Sequence, residues 1–256
     1  MVKHRLSLMG RNLVTAATVQ ICNNPSGAIM TKKPVLVFDV NETLLDLDSL
    51  APLFDRLFGD PQVLREWFAQ LVLYSQSLSL AQIDSDFGKL AAGTLRMMGQ
   101  IKNRPISDSD VQDLSLAIGA MPAHRDAAQA LGKLRDAGFR LVTLTNSPKG
   151  NGPSPLEKAG LADFFDQSFT VQPTGRFKPA PQTYQMVSDA LNVPLSDLCL
   201  VACHTWDTLG MQAMGGKAAL VTHDANAPLN VPGVPVPDLV APTLRELAQG
   251  IIAHWG

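Results

Sequence analysis

"VLVFDVNETLLDLD" (residues 35–48) runs four apolar residues straight into an aspartate, then continues with Val-Asn-Glu-Thr and further acids. An unbroken short run of this kind, without polar alternation, suits a strand buried on both faces of a parallel sheet. Asp39 would then stand at the carboxyl end of that strand, with an amide, Asn41, two residues on and a hydroxyl, Thr43, four residues on. A buried strand that ends on a carboxylate needs a chemical reason.

Working outward, similar β-rich runs recur at "RLVTLT" (140–145), "SFTVQ" (168–172), "LCLVAC" (198–203) and "AALVTH" (218–223). Helical periodicity fills the intervals. "HRDAAQALGKLRDAG" (124–138) aligns Ala127, Ala130, Leu131, Leu134 and Ala137 on one face, with Gly138 as a C-terminal cap. "PQTYQMVSDALN" (181–192) opens on Pro181, a natural first helical position. Strand–helix alternation predicts an α/β fold, a doubly wound parallel sheet.

Residues 48–119 break the alternation and carry only helical periodicity. Four apolar stripes follow one another: Leu50, Leu53, Phe54, Leu57 and Phe58; Leu64, Trp67, Phe68 and Leu71; Phe87, Leu90, Ala91, Leu95 and Met98; and Val111, Leu114 and Ile118. Ser107 and Asp110 have capping-box spacing before the last. The expected organisation is a helical subdomain over 48–119 inserted in an α/β core made of 34–47 and 120–256. The Pro-rich "NAPLNVPGVPVPD" (226–238) reads as a surface loop before the last helix. Residues 1–33 read as a disordered extension, with Met30 as an alternative start; a targeting peptide fits less well because Arg11 interrupts the apolar stretch.

Hydrophobic residues make up 46% and charged residues 17% of 256, enough for a sizeable core. A net charge of −2 supplies no footprint for nucleic acid or an anionic membrane. No apolar run approaches the ~20 residues that span a bilayer. Three cysteines without zinc-ligand spacing point to a reducing compartment, the cytoplasm.

In a parallel sheet the polar groups that end the strands converge on one edge, where α/β folds bind ligands. Asp39 ends the first strand and Thr145 with Asn146 the second; Lys178 follows the third, and His204, Trp206 and Asp207 follow the fourth. A carboxylate there can act as a nucleophile and form a covalent intermediate. A neighbouring lysine would keep it ionised. Thr145 and Asn146, at a strand-to-helix turn, suit recognition of an anionic group.

"FDVNETLLD", "LVTLTNSPKG", "GRFKPAPQTY" and "LVACHTWDTLGMQAMG" together resemble the four ordered motifs of the haloacid dehalogenase superfamily, and the helical insert resembles its cap. The resemblance spans residue 34 to the end. It implies Asp39 as nucleophile, Thr145 as the second-motif hydroxyl, Lys178 as the third-motif lysine and Asp207 as the fourth-motif acid. Most members are magnesium-dependent phosphatases with a second aspartate two residues after the nucleophile. Asn41 occupies that position here and cannot exchange a proton near neutral pH. A departing halide needs no proton, so the amide fits the (S)-2-haloacid dehalogenase branch, which Lys178-Pro-x-Pro-x-x-Tyr184 and Trp206-Asp207 also resemble. The implied reaction converts a small 2-haloacid to a 2-hydroxyacid through an ester on Asp39. Lys178 would support Asp39 and Thr43 would orient it. Thr145, Asn146 and N–H groups near Val40 and Asn41 would hold the substrate carboxylate, and Asp207 would position or activate water. No metal or cofactor is implied; a homodimer is.

Two positions depart from the pattern. Phe68 stands where an arginine usually grips the halide, and reads as cap core; Arg65, one turn earlier, reads as an exposed surface residue. His204 replaces an asparagine, and could serve as base, donate to the halide, or hydrogen-bond Asp207. Tyr184 reads as packing with its hydroxyl toward the site, Trp206 as core or an apolar wall, and Cys203 as a buried hydrophobe. Glu42, adjacent to Asn41, is expected to point away. Two other functions compete: a phosphatase in which Asp39 and Asp207 bind magnesium and His204 replaces the acid, and a non-catalytic anion-binding protein.

Overall fold

Val35–Phe38 form a strand buried on both faces at the centre of the sheet. The computed structural model describes residues 33–256 and the two-residue strand Gln20–Ile21. In chain order the strands are β1 (Gln20–Ile21), β2 (Val35–Phe38), β3 (Leu141–Thr145), β4 (Gln167–Thr170), β5 (Leu198–Ala202), β6 (Lys217–Val221) and β7 (Leu239–Ala241). They lie in the order β1-β7-β6-β5-β2-β3-β4, with β2 to β7 all parallel and β1 antiparallel to β7. From β2 the chain steps outward through β3 and β4, then returns to the other flank of β2 with β5. The order therefore reverses between β2 and β5, and the crevice beyond their carboxyl ends is where such sheets receive ligands.

Four of the helices between β2 and β3 fulfil the helical periodicity of the insert: α1 (Ala51–Phe58), α2 (Val63–Leu80), α3 (Phe87–Ile101) and α4 (Asp108–Ile118). The apolar stripes face inward, with Leu50, Phe54, Leu64, Trp67, Leu71, Leu95 and Leu114 buried. Asp86 caps α3, and Ser107 with Asp110 forms the expected capping box on α4. The Trp67 indole N–H donates to the Ala91 carbonyl at 3.1 Å and ties α2 to α3. The remaining helices flank the sheet: α5 (Ala127–Asp136), the single turn α6 (Pro155–Lys158), α7 (Pro181–Leu191), α8 (Thr205–Ala213) and α9 (Leu244–Trp255). On one side α5 packs on α9, and on the other α8 packs on α7, β5 and β6.

Local stop signals act as the residue types require. Gly138 ends α5 at φ 80°, and Asn192 ends α7 at φ 53°, both left-handed. One strand is unexpected, and two expectations need correction. The loop expected over 226–238 is present, and the three residues after it, Leu239–Ala241, form the unexpected strand, which pairs with β6. The third predicted strand ends at Thr170, since Pro173 turns the chain into a 3-10 segment over Gln172–Thr174. The disordered extension expected over 1–33 is interrupted by Gln20–Ile21, which pairs with β7; the rest of that segment, Met30 included, lies outside the described residues. Among the described residues no helix is long and apolar enough to cross a membrane.

Trp67 is 1% exposed at the centre of the helical insert. Trp67→Ala is expected to lower stability by about 3–5 kcal/mol, read as the midpoint and slope of urea unfolding.

Candidate active site

The turn after β2 explains the spacing of its polar residues. The Val40 carbonyl accepts from the N–H groups of both Leu44 (2.9 Å) and Leu45 (3.1 Å), closing a tight loop. Thr43 is thereby folded back, and its hydroxyl donates to Asp39 Oδ2 at 2.7 Å while its oxygen accepts the Cys203 N–H at 3.0 Å. Asp39 is also pinned to the neighbouring strand by its own N–H, which donates to Val201 O at 3.0 Å.

Lys178, 1% exposed, reaches the same point from the loop after β4. Its ammonium donates to Asp39 Oδ1 (2.7 Å), Asp207 Oδ2 (2.6 Å) and the Leu144 carbonyl (3.0 Å). Its backbone N–H donates to Asn146 Oδ1 at 2.9 Å. From α7, the Tyr184 hydroxyl donates to Asp207 Oδ1 at 2.6 Å. Asp39, Thr43, Lys178, Tyr184 and Asp207 thus form one buried network with ordered partners.

Burial alone would raise the Asp39 pKa, but the Lys178 charge and His204 overcome it and hold the carboxyl far below its ordinary value. Burial likewise opposes the Lys178 charge, yet Asp207 and Asp39 push its pKa up. For Asp207 burial wins, and its pKa is raised in spite of Lys178. Burial and the adjacent Asp207 keep Tyr184 well above its usual range, so it stays a donor. These contacts favour the charged form of Asp39 and fix its cationic partner.

The other expected residues divide. Asn41 donates its amide N–H to Ser147 Oγ at 3.1 Å, which ties the first motif to the turn after β3. Thr145 Oγ1 accepts the Ser147 N–H at 3.1 Å. Asn146 has its amide oxygen engaged with Lys178, which leaves its NH2 as a donor. Trp206 stacks on the His204 ring at 5.0 Å and 19°. Val40 is buried beneath the turn.

Three side chains lie otherwise than expected. Glu42 does not point away: it adopts φ 65°, and this left-handed turn swings its buried carboxylate onto His204, with Oε2 2.8 Å from Nε2. Arg65 is not a free surface arginine. From α2 it ion-pairs with Glu42 and, at 2.7 Å, with Asp48. Phe68 is more than cap core, since its ring lies 5.5 Å from that of His204. His204 pairs with Glu42 through Nε2, while Nδ1 stands 3.3 Å from Asp39 Oδ2. Burial would lower the His204 pKa, but Cys203, Asp39 and Glu42 raise it well above the usual value. Glu42 is brought down from 4.5 to about 2: burial opposes its charge, and His204 and Arg65 prevail. Sequence reasoning does not single out Ser147, whose only signal is a hydroxyl within the motif after β3.

A model for "haloacid dehalogenase-like hydrolase" matches residues 34–215. The chain belongs to the haloacid dehalogenase-like hydrolases. Among curated members of this family it is 28% identical to (S)-2-haloacid dehalogenase 1 of Pseudomonas sp. (strain CBS-3), over 70% of this chain and 80% of that one. It is 26% identical to the (S)-2-haloacid dehalogenase of Xanthobacter autotrophicus, over 85% and 81%. The solved structure of L-2-haloacid dehalogenase from Xanthobacter autotrophicus with chloropropionic acid covalently bound superposes with a TM-score of 0.78 at 23% identity, covering 87% of this chain and 99% of that one.

For a metal, Asp39, Cys203 and His204 offer donor atoms within 4.8 Å of one another. The set fits poorly: His204 Nε2 is engaged by Glu42, both Asp39 oxygens already accept from Thr43 and Lys178, and burial raises the Cys203 thiol away from thiolate.

Two outcomes test this geometry. A Cβ on Gly210 would fall 2.5 Å from Pro179 Cβ and from the Tyr184 hydroxyl. Gly210→Ala is expected to cost about 1–3 kcal/mol in chemical denaturation. For Glu42 the depressed pKa means a stabilising contribution present above pH 4.5 and lost as pH falls toward about 2. Glu42→Gln should therefore flatten the pH dependence of unfolding free energy across that window; an unchanged slope would contradict the buried ion pairing.

Proposed function

We propose that this protein hydrolyses short 2-haloalkanoates to 2-hydroxyalkanoates through an ester on Asp39. The observation that carries the proposal is an anionic carboxylate, fixed by Lys178 and Thr43, with an amide two residues on that is committed to Ser147 and holds no transferable proton. Displacement of halide at carbon needs a nucleophile and no acid for the leaving group. Transfer from a phosphate ester needs an acid on the far side of phosphorus, where Asn41 offers none. The names of the relatives point the same way.

In the first step Asp39 attacks C2 in line, and the carbon–halogen bond breaks with its electron pair leaving on the halide. Lys178 holds Asp39 in its charged, oriented form. Thr145, the Asn146 NH2 and N–H groups near Val40 and Asn41 bind the substrate carboxylate, with Trp206 as an apolar wall beside the alkyl group. In the second step water, directed by Asp207, attacks Cγ of Asp39 and frees the product. Tyr184 acts through Asp207, whose orientation it holds. Backside attack inverts C2, so the (S)-substrate that the relatives' names specify gives an (R)-product. The proposed setting is the cytoplasm, which suits the free thiols of Cys199 and Cys203, and the proposed assembly is a homodimer. Residues 48–119 act as the cap that shields the site from water.

Chloride release from (S)-2-chloropropionate, with and without a chelator, tests the reaction beside phosphate release from a generic phosphomonoester with magnesium. Expected are chelator-insensitive chloride release, (R)-lactate as product, and loss of turnover below detection in Asp39→Asn. Magnesium-dependent phosphate release alone would replace the proposal with a phosphatase, and silence in both assays with an anion-binding protein.

A further inference from the structure

Ester hydrolysis at Asp39 poses a problem that halide release does not. The group expelled from the tetrahedral centre is the 2-alkoxide of the product, a strong base that needs a proton as it leaves. Asn41 cannot supply one. The proton must reach an oxygen of Asp39 itself, because that oxygen departs with the product.

His204 is disposed for this task. It is buried at the N-terminus of α8, its ring held between Trp206 (5.0 Å) and Phe68 (5.5 Å). Nε2 faces the Glu42 carboxylate at 2.8 Å, and a carboxylate can only accept, so this nitrogen carries a hydrogen. Nδ1 is buried, without a hydrogen-bond partner among the described residues, and lies 3.3 Å from Asp39 Oδ2. A lone pair on Nδ1 would face the lone pairs of that oxygen, whereas an N–H faces them favourably. The ionisable groups around the ring are Asp39 from the end of β2, Glu42 from the following turn and Cys203 from the end of β5; Arg65 of α2 stands behind Glu42. Two carboxylates flanking one imidazole favour the cation. Glu42 holds this arrangement from a left-handed conformation that L-residues rarely adopt.

We propose that His204 is the general acid of the second half-reaction, its Nδ1–H protonating Oδ2 of Asp39 as that oxygen leaves with the product, and that Glu42, anchored from the cap by Arg65, is the positioning residue that orients it. The inference rests on the dehalogenase reading above. Oδ2 is then the attacking oxygen of the first step and the ester oxygen afterwards. Water adds to Cγ and gives one proton to Asp207. The Cγ–Oδ2 bond breaks, Oδ2 takes the Nδ1 proton and departs as the product hydroxyl, and the carboxylic acid left on Asp39 returns its proton to Nδ1. The proton on Asp207 passes to solvent, so one proton and one halide are released per turnover.

The side of approach separates this role from others. A halide, or the alcohol of a phosphate ester, leaves in line on the face opposite Asp39, whereas Nδ1 lies against Asp39's own oxygen. A histidine here serves only a leaving group that contains that oxygen. Protonated, it is no base for water.

Rapid mixing of excess (S)-2-chloropropionate with wild type, His204→Asn and Glu42→Gln, followed by chloride release and intact-protein mass, tests the assignment. In His204→Asn the expected result is a burst of one chloride per active site, accumulation of the ester adduct on Asp39, and steady turnover reduced about 10²–10⁴-fold. In Glu42→Gln a partial accumulation is expected, with the alkaline limb of ester hydrolysis moved to lower pH because the imidazolium has lost a carboxylate partner. The assignment is overturned if His204→Asn gives neither burst nor adduct, which would put His204 in carbon–halogen cleavage, or if its turnover is undiminished. An unmoved limb in Glu42→Gln would reduce Glu42 to a structural role. A wild type that releases no halide would refute the dehalogenase reading itself, and this inference with it.

Discussion

The ammonium of Lys178 lies within 2.7 Å of two buried carboxylates, and the rest of the site is arranged around it. Asp39 and Asp207 arrive from β2 and α8, and without a cation between them their charges would repel in a medium that screens poorly. Losing one member of such a buried set costs about 3–5 kcal/mol, since an uncompensated charge is left behind. Lys178 itself is restrained from several sides. Asn146 accepts its backbone N–H, Leu144 accepts from its ammonium, and Ser79 of α2 accepts the N–H of Phe177. Fold and site are thus coupled: Lys178, which pairs with Asp39, also fastens the loop after β4 to β3, and its neighbour Phe177 fastens that loop to the helical insert.

The opposite side of Asp39 is built on a different principle. There the chain accepts backbone strain at Glu42 in order to bury a carboxylate against His204, and Arg65 reaches across from the insert to balance the charge. A residue held in the left-handed region persists only where its surroundings over-determine it. Here the His204 contact, the Arg65 pair and the His124 ring on the Glu42 carbonyl at 2.8 Å all do so. Because one of these partners belongs to α2, the polarity beside Asp39 depends on the insert lying over the sheet edge.

Much of this was legible in residue order because it follows from periodicity. Val35–Phe38 reads as a doubly buried strand, and a parallel sheet brings Asp39, Thr145, Lys178 and Asp207 to one edge whatever lies between them. The stripes through Phe54, Trp67, Leu95 and Leu114 read as helices for the same reason. What escaped is set by single dihedrals and by contacts between distant elements. Expecting Glu42 to face away from the site assumes extended backbone, and φ 65° removes that alternation. Arg65 resembles any exposed helical arginine until the fold brings Glu42 and Asp48 within reach. Leu239–Ala241 is too short to stand out from the prolines before it, and pairs only because β6 presents an edge.

Asn41 and His204 are best understood together. An acid two residues beyond the nucleophile serves a leaving group on the far face of the electrophile. A halide makes that acid unnecessary, and an amide there can be spent on binding the turn after β3. On the proposed mechanism the demand for a proton moves to the second step and to the near face, where the departing atom is an oxygen of Asp39. His204, 3.3 Å from that oxygen and backed by Glu42, is where the geometry meets the demand. On the proposed reading the proton donor stands on the side of the chain's own carboxylate, an arrangement particular to this chain, since the family pattern places an asparagine where His204 stands.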